Sequence, residues 1–519
     1  MNRSITLVGS LVMLAFVGCG HAHPADPSAA PAPWPKESTP AAARPVSAPS
    51  APAVEIVPPK DREIPGEGPA RPFVLPKPER VRLASGIELL LVKRSSLPLA
   101  TIVVVWPNGA AEDPPQREGL AALAANLLTE GAGSRSALEL AAETQRLGAR
   151  LSSQASWDST TVALTTLTKA LDPSLALLAD VVLRPRFDNA DIERLRAESR
   201  TSLLQLNDQP ATQAQLAGSR AIYGDAHRYG SLIAGSEQGL SLVSRAELLA
   251  WHKDRLSPAR ATIIAVGDLD MSTLRRKLDP IFGTHLLKRP ARIATKKPAP
   301  TRNERTVVLV DRPQAAQTEM RAYSAGPPRI TPDYFPRLLL NTIFGGNFSS
   351  WLNAKLREEK GYTYGARSDF AFRRDGGPFV AGAPVKTGVT KDALVDLLAQ
   401  LDRLERGDFA EVELTIAKQQ LQRSIARSFE TPPDVAMALA TVVVYGLPES
   451  YFTTYAENLE KVSVADLARV AKTLHAGNMS LVFVGDEKLI GADIKAVLGE
   501  YKKVDVAPKV PPHRDEATR

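Results

Sequence analysis

Two apolar stretches that end in the same three residues constrain the fold of this chain most strongly. The 519-residue sequence contains Ala261-Thr-Ile-Ile-Ala-Val-Gly-Asp268 and Met479-Ser-Leu-Val-Phe-Val-Gly-Asp486, which end 218 positions apart (486 − 268). Each follows a helix-like segment that opens on Val-Ser, at Val243 and at Val462. The chain therefore contains an internal duplication, with a unit of roughly 200 residues, the size of an ordinary domain.

Each unit is predicted to contain both strands and helices, because alternating and helically spaced apolar residues both occur in it. Since the two kinds of element do not alternate strictly, we expect an α+β fold of two homologous α/β domains, each a mainly antiparallel sheet packed with helices. The first unit is predicted to open with strands within Val81–Val92 and at Leu99–Trp106, followed by helices at Glu118–Glu130 and Ser136–Leu147, the second capped by Ser134 or Ser136. It continues with a hairpin at Arg150–Ser156 and Ser159–Thr165 and with helices near 169–184 and 189–206. The second unit is predicted to open with strands at Arg305–Val310 and Gln317–Tyr323.

The first 19 residues resemble a bacterial lipoprotein signal peptide. A basic start and an apolar run from Ile5 to Val17, too short to span a bilayer, precede Gly18 and Cys19. On this interpretation Cys19 becomes a lipidated N-terminus at the cell envelope of a Gram-negative-type bacterium, on the periplasmic face of the outer membrane. The alternative is an ordinary signal peptide with a chance cysteine. Residues 20–75, rich in Pro and Ala, are expected to form a disordered tether.

The charge pattern argues against a nucleic-acid partner. The net charge is +7, and no stretch combines dense Lys and Arg with interleaved aromatic residues. The histidines are sparse, and none occurs between His23 and His227. His227 is interpreted as structural, and His252 as a packed or surface residue of a helix.

Four segments occur in order along the chain: Gly119–Gly133, Leu183–Pro210, His227–Gly235 and Phe344–Ser368. Together they resemble the pitrilysin, insulinase and mitochondrial processing peptidase family of inverted-zincin metallopeptidases, over roughly residues 78–503. The resemblance implies two homologous domains that face each other like a clam shell around a chamber for an extended peptide. We accordingly predict a signal peptide (1–19), a tether (20–75), an N-terminal domain (76–287), a linker (288–304), a C-terminal domain (305–505) and a flexible tail (506–519).

The first of these segments resembles a zinc helix that lacks its ligands. In active relatives His-x-x-Glu-His places two imidazoles and a general base on one helix. Here the corresponding positions are Ala122, Ala125 and Asn126, and the position of the third ligand, a Glu in active relatives, falls at or beside Ser202. Alanine has no lone pair for a metal, and a neutral Asn is a poor zinc ligand. We therefore predict that this chain binds no metal or other cofactor.

The last segment resembles the substrate-binding part of the family's site. An Arg and a Tyr seven residues apart map to Arg357 and Tyr364, which the resemblance implies are catalytic residues that anchor the peptide and donate a hydrogen bond to the developing oxyanion. The alternative is a solvated helix end capped by Gly361, with Tyr362 and Tyr364 packed on a strand. One departure is Trp351, where the family usually has an Arg.

The leading hypothesis is a non-zinc subunit of a heterodimeric periplasmic zinc peptidase. It would be inactive alone, and a family partner with His-x-x-Glu-His would supply the zinc. This chain would supply Arg357, Tyr364 and half of the chamber that holds the extended peptide substrate. The alternative is a catalytically inactive peptide-binding or scaffold lipoprotein of the same fold. An active metalloprotease would require an unrecognised metal site.

Overall fold

The computed structural model describes residues 77–282 and 305–506. These residues belong to one compact unit. The predictions for the signal peptide, Cys19, the tether, the linker at 288–304 and residues 507–519 lie outside the described ranges. Within those ranges, no helix is both long enough and apolar enough to cross a membrane.

The N-terminal half is built on a six-stranded sheet with the order β1-β2-β8-β3-β7-β6. All neighbours in it are antiparallel except β2 and β8. The elements are β1 (Glu79–Arg82), β2 (Glu88–Lys93), β3 (Leu99–Trp106), α1 (Leu120–Leu127), β4 (Gly131–Ala132), β5 (Arg135–Ser136), α2 (Ala137–Arg146), β6 (Arg150–Ala155), β7 (Thr160–Leu167), α3 (Leu171–Leu183), α4 (Asn189–Asn207), α5 (Pro210–Tyr223), α6 (Glu237–Leu242), α7 (Arg245–Arg255), β8 (Thr262–Gly267) and α8 (Met271–Phe282).

The C-terminal half repeats this plan with the sheet order β11-β12-β10-β13-β9-β14. Strand β9 is parallel to both of its neighbours, and the remaining pairs are antiparallel. The elements are β9 (Val307–Asp311), β10 (Gln317–Ala325), α9 (Tyr334–Phe344), α10 (Trp351–Asn353), a π-helical turn (Ala354–Glu359), β11 (Arg367–Phe370), β12 (Pro378–Lys386), α11 (Thr390–Arg406), α12 (Glu411–Arg427), α13 (Pro432–Tyr445), α14 (Tyr455–Glu460), α15 (Val464–Lys472), β13 (Ser480–Gly485), α16 (Glu487–Leu498) and β14 (Lys502–Lys503).

The two duplicated apolar stretches form the fully buried strands β8 and β13. Each lies inside its sheet, which explains why neither sequence alternates between apolar and polar residues. The helix that precedes each strand begins with a capping box, formed by Ser244 with Glu247 in α7 and by Ser463 with Asp466 in α15. The predicted α+β fold with two homologous domains is confirmed.

The halves exchange one helix each. Helix α5 of the N-terminal half packs on β9, β10 and β13 of the C-terminal sheet, and α13 of the C-terminal half packs on β3 and β8 of the N-terminal sheet. Gly218 permits this packing of α5, because a Cβ atom there would lie 2.3 Å from the ring of Tyr323. On the other side, Val435 and Leu439 of α13 join a buried apolar cluster with Val103.

Two hairpin turns meet where the halves join. Arg374, in the β11–β12 turn, donates from Nη2 to the carbonyl oxygens of Pro107 (2.7 Å) and Asp158 (3.0 Å). Its backbone N–H donates to Asp158 Oδ2 at 2.9 Å, and so does the Tyr445 hydroxyl at the end of α13. Asp158, in the β6–β7 turn, thus binds two elements of the opposite half.

Candidate functional site

The helix predicted at Glu118–Glu130 is shorter, and spans only Leu120–Leu127 as α1. Gly119 before it has a left-handed φ of +102° that excludes it from the helix. After α1 the chain enters the β4–β5 hairpin, and Ser136, rather than Ser134, then caps α2 in a capping box with Glu139.

The degenerate zinc-motif positions differ in exposure. Ala122 is half-buried, Ala125 is completely buried and Asn126 is exposed. Ser202 is exposed on α4, which packs against α1. The structure therefore places all four positions on one pair of neighbouring helices. A carboxylate at position 125, which is completely buried, would carry a high desolvation cost.

The donor set on these helices does not fit zinc. Structural and catalytic zinc sites use Cys, His, Asp or Glu, and the four positions carry Ala, Ala, Asn and Ser. Across residues 77–282 and 305–506, no group of three or more His, Cys, Asp or Glu side chains is arranged to hold a metal ion.

A buried ion pair fixes the start of α1. The carboxylate of Asp113 accepts hydrogen bonds from the backbone N–H groups of Gly119 (2.8 Å) and Ala121 (2.9 Å). Arg228 donates to the same carboxylate from Nη2 at 2.9 Å and from Nε at 3.2 Å. The Trp157 ring lies 4.9 Å from the guanidinium carbon of Arg228. The degenerate helix is therefore held in place by residues that the motif does not contain.

Arg357 lies in the π-helical turn, and its guanidinium stacks on Phe348. The guanidinium carbon is 3.8 Å from the ring centroid, and Phe348 is itself 64% exposed. The charge partner of Arg357 is its chain neighbour Glu358, at 3.2 Å. A planar guanidinium on an aromatic face keeps its in-plane N–H groups available for an acceptor.

Tyr364 projects into solvent with 91% of its surface exposed. Its loop is fixed, because Asn353 donates to the carbonyl of Ala366 (2.8 Å) and accepts from its N–H (2.9 Å). The alternative in which Tyr364 packs on a strand is therefore wrong, although Tyr362 does pack against the C-terminal core and Gly361, at φ +63°, ends the turn as expected.

Two models of protein families match this chain at successive ranges of residues. Residues 89–232 match the family described as Insulinase (Peptidase family M16), and residues 242–421 match the Peptidase M16 inactive domain. The chain belongs to the M16 peptidase family. Both halves of the chain thus contribute to the match, in agreement with the resemblance predicted from the sequence.

Several relatives of this M16 chain carry peptidase names. It is 25% identical over 441 residues to an uncharacterized zinc protease of Mycobacterium tuberculosis, covering 84% of this chain and 100% of the relative. It is 22% identical over 424 residues to the mitochondrial-processing peptidase subunit beta of Blastocladiella emersonii, covering 79% and 89%. The crystal structure of a peptidase M16 inactive domain from Pseudomonas fluorescens has the same fold, with a TM-score of 0.73, 23% identity, and coverage of 79% and 98%.

Trp351, at the position where the family resemblance led us to expect an Arg, is a packing residue in this M16 chain. Its side chain is buried and stacks on Phe409, with ring centroids 5.0 Å apart. Its indole N–H donates to Glu413 at 2.7 Å, and Arg403 lies 3.5 Å from its centroid on the ring face. Trp351 therefore anchors α12 through Glu413.

The structure does not join the two sets of predicted site residues. Ala122, Ala125, Asn126 and Ser202 lie in the N-terminal half, and Arg357 and Tyr364 lie in the C-terminal half. Among the described residues, no hydrogen bond or ion pair links them. Sequence reasoning missed the Asp113–Arg228 pair and Phe348. No local sequence pattern could have indicated the ion pair, because Asp113 and Arg228 are 115 residues apart. Phe348 could have been found, because it lies inside the Phe344–Ser368 segment that carries the family resemblance.

Proposed function

We propose that this chain is the non-zinc subunit of a two-chain M16 peptidase and supplies Arg357 and Tyr364 to a shared site. The exposure of Tyr364 carries the proposal. A phenol ring that is 91% exposed on a loop held by Asn353 gains little from packing, and its hydroxyl is presented where it can donate to another molecule.

Arg357 supports the same role. With Phe348 behind it, the guanidinium is held in a limited set of orientations, which lowers the entropy lost when it binds a peptide carbonyl or carboxylate. A phenol O–H and a guanidinium are both directed donors, suited to a carbonyl oxygen as its negative charge develops. The loss of zinc ligands at Ala122, Ala125 and Asn126 explains why a partner would be needed.

The remaining parts of the proposal concern partners and location. We propose a partner chain of the same family that carries His-x-x-Glu-His and its zinc, and an extended peptide as the substrate. We also propose that Cys19 carries the lipid that anchors the pair at the periplasmic face of the outer membrane. The family membership and the relatives named as zinc protease and processing-peptidase subunit support the choice of a zinc-bearing partner from the same family.

The test is cleavage of a quenched fluorescent peptide library by each full chain alone and by the mixture. The partner to be tested is the product of any neighbouring gene that encodes an intact His-x-x-Glu-His. The proposal expects turnover by the mixture and none by this chain alone. Turnover by the partner alone that this chain does not increase would favour the second candidate, a peptide-binding scaffold.

A further inference from the structure

The buried amide of Asn353 lies between the segments that carry Arg357 and Tyr364. Asn353 ends α10, directly before the π-helical turn that contains Arg357, and it is 5% exposed. Its Oδ1 accepts a hydrogen bond from the backbone N–H of Ala366 at 2.9 Å, and its Nδ2 donates to the Ala366 carbonyl oxygen at 2.8 Å. Ala366 is completely buried, so both of its backbone groups need such partners. The amide therefore holds the backbone two residues after Tyr364.

The same Nδ2 atom also contacts the segment that precedes α10. It lies 3.0 Å from the carbonyl oxygen of Asn347 and 3.2 Å from Ser350 Oγ. Phe348 follows Asn347 in this segment, and its ring centroid lies 3.8 Å from the guanidinium carbon of Arg357. One buried side chain is thus hydrogen-bonded both to the segment that supports Arg357 and to the loop that carries Tyr364.

Each of the two segments also has a contact of its own. The side chain of Asn347 donates to Gln420 of α12 at 2.8 Å. In the other segment, the Thr363 hydroxyl lies 3.1 Å from both the backbone nitrogen and the carbonyl oxygen of Gly365. These contacts order each segment separately, whereas the amide of Asn353 bonds to both of them.

We propose that Asn353 is a positioning residue that sets the spacing between the Arg357 guanidinium and the Tyr364 hydroxyl. Because the Tyr364 side chain is 91% exposed, its position depends mainly on the backbone that carries it. Two directed donors act together on one substrate only when their spacing matches it, and a misplacement of about 1 Å can lower a rate about 10²-fold. Asn353 acts on the donor pair of the proposed function, so the inference rests on that function.

The first measurement is hydrogen exchange of the full chain without a partner, followed by mass spectrometry of peptides covering residues 346–350 and 362–368. Asn353→Ala removes the acceptor of the Ala366 N–H, so this amide should exchange about tenfold faster than in the wild type. Exchange in residues 346–350 should also become faster, because the same side chain bonds to that segment. Asn108→Ala is the matched control, since Asn108 is likewise buried and donates to a backbone carbonyl, and it should leave both peptides unchanged.

The second measurement is kcat and KM of the reconstituted pair. Asn353→Ala should lower kcat about 10–10²-fold, a larger factor than its effect on KM, because both donors remain but are misplaced. In a Tyr364→Phe background the same change should lower kcat by less than about threefold, since one of the two donors that it misplaces is already gone. Asn108→Ala should retain the kcat of the wild type.

Unchanged exchange in either peptide, or an undiminished loss of kcat in the Tyr364→Phe background, would overturn the inference. If the wild-type pair shows no turnover, the proposed function fails, and hydrogen exchange still decides whether Asn353 joins the two segments. Should Asn353→Ala fail to fold, Asn353→Asp takes its place, because it has the same shape, keeps the acceptor for Ala366 and loses the Nδ2 donors. That variant should exchange faster in residues 346–350 than the wild type, and wild-type exchange there would contradict the proposal.

Discussion

At the scale of single residues, the Asp113–Arg228 pair is a buried polar contact with a large expected effect on stability. Both side chains are almost completely buried, and Asp113 also accepts two backbone hydrogen bonds at the start of α1. Asp113→Ala would leave a buried, uncompensated arginine. We expect a loss of about 3–5 kcal/mol in the free energy of unfolding.

Urea denaturation followed by circular dichroism measures this loss. Asp225→Ala is the matched control, because Asp225 is exposed and lies 3.8 Å from Arg220. That variant should change the free energy of unfolding by less than about 0.5 kcal/mol. Similar destabilisation by both variants would contradict the role assigned to Asp113.

His252 contributes a pH dependence. Its Nε2 lies 2.9 Å from the carbonyl oxygen of Val182, and burial lowers the pKa of its imidazole. The unfolded chain therefore binds this proton more readily, so His252 costs stability as the pH falls through about 6.5 and costs nothing well above it. His252→Gln should reduce the difference in melting temperature between pH 7.5 and pH 5.5. An unchanged difference would refute this contribution.

At the scale of elements, α1 is not a zinc helix that point mutations can restore. Ala122→His, Ala125→Glu and Asn126→His would rebuild the motif, but position 125 is completely buried. Desolvation and overpacking of the added carboxylate would lower the free energy of unfolding by about 2–5 kcal/mol. We expect the triple variant to be destabilised, measured by thermal unfolding, and to bind no stoichiometric zinc, measured by atomic absorption. A stable variant with one zinc per chain would contradict this account of the helix.

Local sequence predicted some elements better than others. Strand β3 lies at Leu99–Trp106, as predicted, because a run of apolar β-branched residues favours a buried strand. The predicted helix at Glu118–Glu130 was too long, because the left-handed Gly119 and the β4–β5 hairpin bound it. The sequence could not show that Tyr362 is packed and Tyr364 is exposed, because both belong to the same short segment and their environments depend on distant elements.

At the scale of the whole molecule, the exchange of α5 and α13 joins the halves. The sequence predicted the duplication but not this exchange, because nothing local tells which sheet a helix will cover. A shared sequence pattern marks the two helices as equivalent. Helices α5 (Pro210–Tyr223) and α13 (Pro432–Tyr445) both begin with a proline and end at a tyrosine that a glycine follows.

A substitution at Gly218 tests whether α5 packs closely on the C-terminal sheet. A methyl group there would meet the Tyr323 ring, so Gly218→Ala should lower the free energy of unfolding by about 1–3 kcal/mol despite the better helix propensity of Ala. Gly388→Ala is the control, since a Cβ atom there has no neighbour within 4 Å. Chemical denaturation of both variants gives the comparison, and a stabilised Gly218→Ala would show that α5 does not pack closely on β10.

The most direct measurement of the central claim is kcat for the reconstituted pair carrying Tyr364→Phe. If Tyr364 donates to the developing oxyanion, kcat should fall about 10²–10³-fold while the affinity between the chains stays unchanged. Tyr362→Phe, on the packed tyrosine two residues earlier, should retain nearly full turnover. Wild-type kcat in Tyr364→Phe, or an equal loss in both variants, would contradict the claim that this chain completes the site.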